Sequence, residues 1–144
     1  MTIKNCNAAI DFYKKAFGSK EKERLVTPDG KIAHASLEIE GSLLLMSDED
    51  AMMGGKSPET MGGNTVSLSL YVRDVDKVFR NAIHAGCKEI MYVDDQFYGD
   101  RTGTVIDPFG YRWMIGTHKR DVSQEEMQRL SNQMFESQRS AQHN

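Results

Sequence analysis

A chain of 144 residues with a net charge of −3 and 27% charged side chains has the size of one domain with a real core. Its slight acidity speaks against nucleic acid, because neutralising phosphates needs a basic face, and the one basic cluster, His118-Lys119-Arg120, runs straight into Asp121. No apolar run reaches the ~20 residues of a membrane span, residues 1–20 hold no signal-like apolar region, and two cysteines without CxxC spacing read as reduced, so the expectation is a cytoplasmic protein off the membrane.

Met1–Lys4 reads as the end of a very short strand. Asn5 is an N-cap, and Cys6, Ala9, Ile10, Tyr13, Ala16 and Phe17 recur at helical spacing until Gly18 stops the helix. Glu21–Val26 is a charged, edge-like strand, and Thr27-Pro28-Asp29-Gly30 has the residues of a type I turn. Along Ile32–Ile39, Ala33, Ala35, Leu37 and Ile39 alternate with His34, Ser36 and Glu38. Glu40-Gly41 turns the chain into Ser42–Met46. Ser47–Asn64 is polar, rich in Gly and Met, and reads as a long loop.

Val66–Val72 alternates again, with Ser67, Ser69 and Tyr71 opposite Leu68 and Leu70. Asp74 caps a second helix, striped by Val75, Val78, Phe79, Ala82 and Ile83 and ended by Gly86. Glu89–Val93, Thr102–Ile106 and Tyr111–Ile115 are the remaining strands. Ser123 and Glu126 make a capping box for a third helix, with Val122 placed to staple onto Met127. The expected layout is one domain, 1–122, of two modules (1–50 and 64–118) joined by a loop at 51–63. A C-terminal helix at 123–138 and a flexible tail at 139–144 follow.

The halves repeat. Gly30 matches Gly99 and Gly41 matches Gly110 at an offset of 69, and Gly18 matches Gly86 at 68. The match lies in the punctuation, where geometry is most constrained. Each half reads strand–helix–strand–strand–strand. Two such units predict an α+β fold, a curved mixed sheet with helices on one side and a cup on the other.

Certain segments carry a resemblance: Ala9-Ile10-Asp11-Phe12-Tyr13, Asp29-Gly30-Lys31-Ile32-Ala33-His34, Leu70-Tyr71-Val72-Arg73-Asp74, Asp95–Arg101 and Asp107-Pro108-Phe109-Gly110. In these the chain resembles the vicinal-oxygen-chelate superfamily, which includes glyoxalase I, extradiol dioxygenases and the fosfomycin and bleomycin resistance proteins, and within it the PhnB-like branch. The resemblance implies paired βαβββ modules and a homodimer. It also implies a divalent metal held by His and Glu from the first and last strand of each module, which would polarise substrate oxygens. Carried onto this chain, those positions fall at Ser67, at Met114 and at about Leu45, or Met46 if the register slips by one, and the fourth falls before Met1. None is a His or a carboxylate, and a serine and thioethers do not hold such an ion. No metal and no cofactor are therefore expected. No Gly-rich nucleotide loop follows a strand, so methyl transfer has no support either.

The expected function is a metal-independent protein that binds a small molecule in a cup lined by His34, Ser67, Ser69, Tyr98, Arg101, Trp113 and Met114. His34 is the candidate catalytic base, set against a plain hydrogen-bonded histidine. Arg101, with Asp100, is placed to clamp an anion or to fix the Gly99 turn. Tyr98, Phe97 and Trp113 are placed to stack on a flat ligand or to fill the core. Asp107 reads as a turn residue, Cys6 and Cys87 as packing residues and His84 as a surface residue. His118 and His143, near the chain end, carry little signal. The alternatives are a metal-dependent lyase, isomerase or dioxygenase with ligands relocated to His34 and Glu38, and a protein-interaction module.

Overall fold

The computed structural model describes residues 1–142, so His143 and the end of the expected tail lie outside the described residues. The element order is β1 (Thr2–Ile3), α1 (Cys6–Phe17), β2 (Lys20–Val26), β3 (Ile32–Ile39), β4 (Ser42–Asp48), α2 (Pro58–Met61), β5 (Ser67–Tyr71), α3 (Val75–Ala85), β6 (Lys88–Asp95), β7 (Asp100–Ile106), β8 (Arg112–His118) and α4 (Gln124–Gln142). The strands form two separate four-stranded mixed sheets, β1-β4-β3-β2 and β5-β8-β7-β6, in which only the first pair of each is parallel.

The repeat is kept down to single hydrogen bonds. Asn5 and Asp74 each cap their helix by accepting from the backbone three residues on, Ala8 in one module and Lys77 in the other. The last strand of each module then reaches the helix start. Asp48 Oδ1 accepts from the Cys6 N–H at 2.7 Å, and Thr117 Oγ1 accepts from the Val75 N–H at 2.9 Å. All six punctuating glycines have positive φ, from 66° at Gly18 to 125° at Gly86. Only glycine takes that region without strain.

Helix α1 packs on α3. The helix-bearing sides of both sheets share one core that includes Ile10, Tyr13, Leu37, Met46, Phe79, Trp113 and Ile115. The joint is aromatic. Trp113 of the second sheet lies 4.7 Å from Phe17 and 5.6 Å from Tyr13 of α1, centroid to centroid.

Three details differ from the sequence reading. The loop holds a short helix, α2, with Ser57 as N-cap, Pro58 in its first turn and Gly62 as a left-handed C-cap, a set of local signals sufficient for one turn. Helix α4 runs to Gln142 rather than 138, as its i,i+4 polar pairs, such as Gln128–Asn132, allow. Ile32 is buried and Ala33 exposed, the reverse of the simple alternation, because a register shift between Leu25 and Val26 turns the strand there.

Candidate functional site

Alternation assigns each strand side chain to one sheet face. The helix-bearing faces are spent on the core, and the opposite faces point outward. On the first sheet the outward face carries Leu25, His34, Ser36, Glu38, Leu43 and Leu45, neighbours across the β2–β3–β4 register. On the second it carries Ser69 and Tyr71 of β5, Met114, Gly116 and His118 of β8, and Asp100, Thr102 and Thr104 of β7. Large apolar groups stand open there, among them Leu43 at 64%, Leu45 at 52% and Tyr71 at 48% exposure. Where β4 approaches β5, a cavity of about 320 Å³ opens, lined by Leu43, Leu44, Leu68, Ser69, Tyr71 and Trp113, among others.

At one end of the second sheet's outward face sits a hydrogen-bonded chain of four side chains. Tyr71 Oη donates to Asp100 Oδ2 at 2.5 Å, Asp100 Oδ1 meets His118 Nδ1 at 2.8 Å, and His118 Nε2 meets Asp121 Oδ1 at 3.0 Å. Asp100 is buried, whereas the Asp121 side chain is fully exposed and that of His118 is 56% exposed. Gly116 makes room for this. A Cβ there would stand 3.1 Å from Thr102 Cγ2 and 3.4 Å from the Tyr71 ring, which lies across it.

Burial alone would push the Asp100 carboxyl up, but hydrogen bonds from Tyr71 and His118 leave it below its ordinary range. The bond to Asp100, with burial adding, pushes the Tyr71 phenol up to about 12. Asp100 and then Asp121 hold the His118 imidazole above its ordinary value. The result is an imidazole oriented through Nδ1 by a buried carboxylate, with Nε2 meeting the exposed Asp121.

The expected site residues divide. Ser67, Ser69 and Met114 lie on the outward face of the second sheet, with Ser69 directly opposite Met114. His34 lies on that of the first, partly exposed, with Glu23 Oε2 3.9 Å from its Nε2. Tyr98 sits in the turn before β7, its Oη 3.5 Å from Thr102 Oγ1 and its ring edge-on to Phe97.

Two residues point elsewhere. Trp113 faces the core and donates through Nε1 to Asp107 Oδ2 at 2.9 Å. Neighbours on a strand face opposite ways, so Trp113 and Met114 do not share a surface. Arg101 is on the helix side, where Nε and Nη2 grip both oxygens of Asp76 at 2.9 Å and Nη1 meets Asp95 at 3.2 Å. Its fork is filled by its own chain. Asp107 is more than a turn residue. Buried, it accepts from Tyr13 Oη, Trp113 Nε1 and the backbone N–H groups of Phe109 and Tyr111.

The metal positions implied by the resemblance offer Ser67, Leu45 and Met114, a set that does not fit a hard or borderline divalent ion. His34 and Glu38 stand four residues, roughly 13 Å, apart along β3, and Glu38 is held by Lys22 at 3.0 Å. Among the described residues no group of three or more His, Cys, Asp or Glu is gathered as a cation site. Cys6 and Cys87 are buried and unpaired, and burial pushes both thiols up to about 12. No described helix is long and apolar enough to cross a membrane.

Comparison with known proteins places this geometry. The family model described as Glyoxalase/Bleomycin resistance protein/Dioxygenase superfamily matches residues 1–115. An uncharacterized protein of Mycobacterium tuberculosis is 42% identical over 131 residues, covering 89% of this chain and 77% of that one. The YjdN protein of Escherichia coli is 30% identical over 140 residues, covering 83% and 92%. Among solved structures, TioX from Micromonospora aligns with a TM-score of 0.64 at 23% identity, over 82% of this chain and 94% of that one. A PhnB protein from Bacillus cereus aligns at 0.61 and 15% identity, over 81% and 95%. At these identities the two structures speak to the fold.

Proposed function

Because the chain belongs to the glyoxalase/bleomycin resistance protein/dioxygenase superfamily, we propose that it binds a small organic molecule at the seam of its two modules, without a divalent metal. The observation that carries this reading is the cavity of about 320 Å³ between β4 and β5. It has the size and make-up of a small-ligand site, with apolar walls and a few convergent polar groups. Here the walls include Leu43, Leu44 and Leu68, and the polar groups are Glu40, Ser42, Ser69 and Tyr71. The donor positions Ser67, Leu45 and Met114 favour binding without metal.

The open apolar groups on the outward faces, Leu25, Leu43, Leu45 and Tyr71, favour a homodimer in which a second copy covers them and closes the cup. The sequence motifs, among them Asp95–Arg101 and Asp107-Pro108-Phe109-Gly110, favour the PhnB-like branch, whose fold this chain shares. Two buried, unpaired thiols suit a reducing, cytoplasmic setting.

Trp113 is the sole tryptophan and borders the cavity, so its fluorescence reports occupancy. A screen of aromatic and acidic compounds should give a saturable change in Trp113 emission together with a rise in melting temperature. Leu68→Trp, which fills the cavity, should abolish the rise. Stoichiometric zinc, nickel, manganese or iron in protein purified without chelator would overturn the metal-free reading.

A further inference from the structure

Resting on the small-molecule reading above, we propose that the ligand carries an acidic group, a carboxylate or a phosphate, which docks on His118 Nε2 in the place now held by Asp121. Tyr71 joins the seam cavity to this point. It lines the cavity and donates to Asp100, which in turn orients His118. In the register Tyr71 lies opposite Gly116, and His118 lies two residues, roughly 7 Å, further along the same strand. A ligand seated against Leu68, Ser69 and Tyr71 therefore reaches toward His118 along the Tyr71 ring, which lies over the buried Gly116.

Of the cations around this face, His118 is the one that a buried carboxylate holds in place, whereas Arg112, at the other end of β8, is exposed. Arg101 is on the other side of the sheet, gripped by Asp76 and Asp95. Arg120 lies 3.8 Å from Glu126, and Lys119 is exposed in the segment after β8. The groups facing the imidazole are Asp100 from β7, Tyr71 from β5 behind that carboxylate, and Asp121 from the segment after β8. Asp100 is buried and holds Nδ1, which fixes the ring and leaves Nε2 to meet an anion. Asp121 is the exposed and exchangeable member. Its carboxylate sits where an external carboxylate would sit, so the free protein carries an internal stand-in for the acidic group of its ligand.

The test is long-range 15N NMR of the histidine rings in the full chain, titrated with inorganic phosphate at constant ionic strength and about pH 5.5, below the ordinary imidazole value of about 6.5. In wild type the ring nitrogens of His118 should move saturably. Asp121→Asn should tighten phosphate binding about two- to fivefold, the range that an exposed ion pair supplies, and His118→Gln should remove it. Asp100→Asn should lower the titration midpoint of His118 and move the pH dependence of phosphate binding down with it. A merely structural carboxylate would change stability and leave that profile in place. Unchanged affinity in Asp121→Asn, or phosphate shifts that bypass His118, would overturn the assignment. If a neutral aromatic compound still changes Trp113 emission in that case, the acidic-group assignment alone falls. If nothing binds at all, the small-molecule reading falls with it.

Discussion

Tyr13 Oη donates a 2.6 Å hydrogen bond to Asp107 Oδ2, the same oxygen that accepts from Trp113 Nε1 at 2.9 Å. These residues belong to different modules, 94 positions apart, and the bond is buried. Burial first, and then the charge of Asp107, hold the Tyr13 phenol well above its ordinary value, so it stays a donor. One carboxylate thus ties α1 to the turn and last strand of the second module.

Tyr13→Phe should cost about 1–2 kcal/mol, since Asp107 keeps its other donors. Asp107→Ala should cost about 3 kcal/mol or more, because it strands two buried side-chain donors as well as the turn amides. Urea unfolding followed by far-UV circular dichroism measures both. Equal costs would show that the carboxylate is not the hub.

Two turn glycines of the repeat, one from each module, are predicted to differ in tolerance. Gly41 has φ 79° and nothing within 4 Å of an added Cβ, so Gly41→Ala meets backbone strain alone, about 1 kcal/mol. Gly99 has φ 99°, and an added Cβ would fall 2.1 Å from the Arg120 carbonyl oxygen. Gly99→Ala must also displace the segment that Gly99 holds through the Lys119 and Arg120 N–H groups. Its unfolding midpoint should drop clearly further than that of Gly41→Ala, and similar midpoints would contradict the contact.

The bond between His118 and Asp100 predicts a pH-dependent contribution to stability. The folded value of His118 is raised, so its share is fully present below the unfolded value of about 6.5 and is lost as pH rises through the folded value. The folded value of Asp100 is lowered, so its share is present above about 3.9 and is lost as pH falls. The difference in urea midpoint between wild type and His118→Gln should be clear at about pH 6 and shrink by about pH 9. A difference that stays constant over that range would rule out the charged pair.

Buried thiols pushed up to about 12 are poor nucleophiles. A thiol reagent at about pH 8, below the ordinary thiol value, should label Cys6 and Cys87 slowly in the folded chain and rapidly in urea. Fast labelling of either in native protein would place it at a reactive site.

Arg101 yields a negative prediction. Since Asp76 and Asp95 fill its fork, Arg101→Gln should lower stability modestly and leave ligand binding at the seam intact. Loss of the Trp113 fluorescence response at unchanged stability would return Arg101 to the site.

Much of the fold was readable because its signals are local. Asn5 and Asp74 cap helices, Gly18 and Gly86 end them, and period-2 alternation gives strand faces; each acts within a few residues of chain. The offset of 69 was also legible, since turn geometry constrains residue type so strongly. The functional face was harder to read. Extending the alternation of Thr102 and Thr104 back two residues would have put Asp100 outward and Arg101 inward. The same rule applied to Trp113 and Met114 would have separated them. The turn motifs drew both residues toward one site because they are close in sequence, and strand neighbours point apart.

By itself, then, the sequence determined the doubled βαβββ pattern, the helix ends, the turns and the absence of His or carboxylate at the implied metal positions. Only the tertiary structure decided that Trp113 and Asp107 weld the modules and that Arg101 is spent on Asp76. It alone brought Tyr71, Asp100 and His118 together. Those three lie on three strands, 29 and 18 residues apart. Hydrogen bonds between side chains so distant in sequence depend on sheet order and register, which long-range pairing sets and no local propensity encodes.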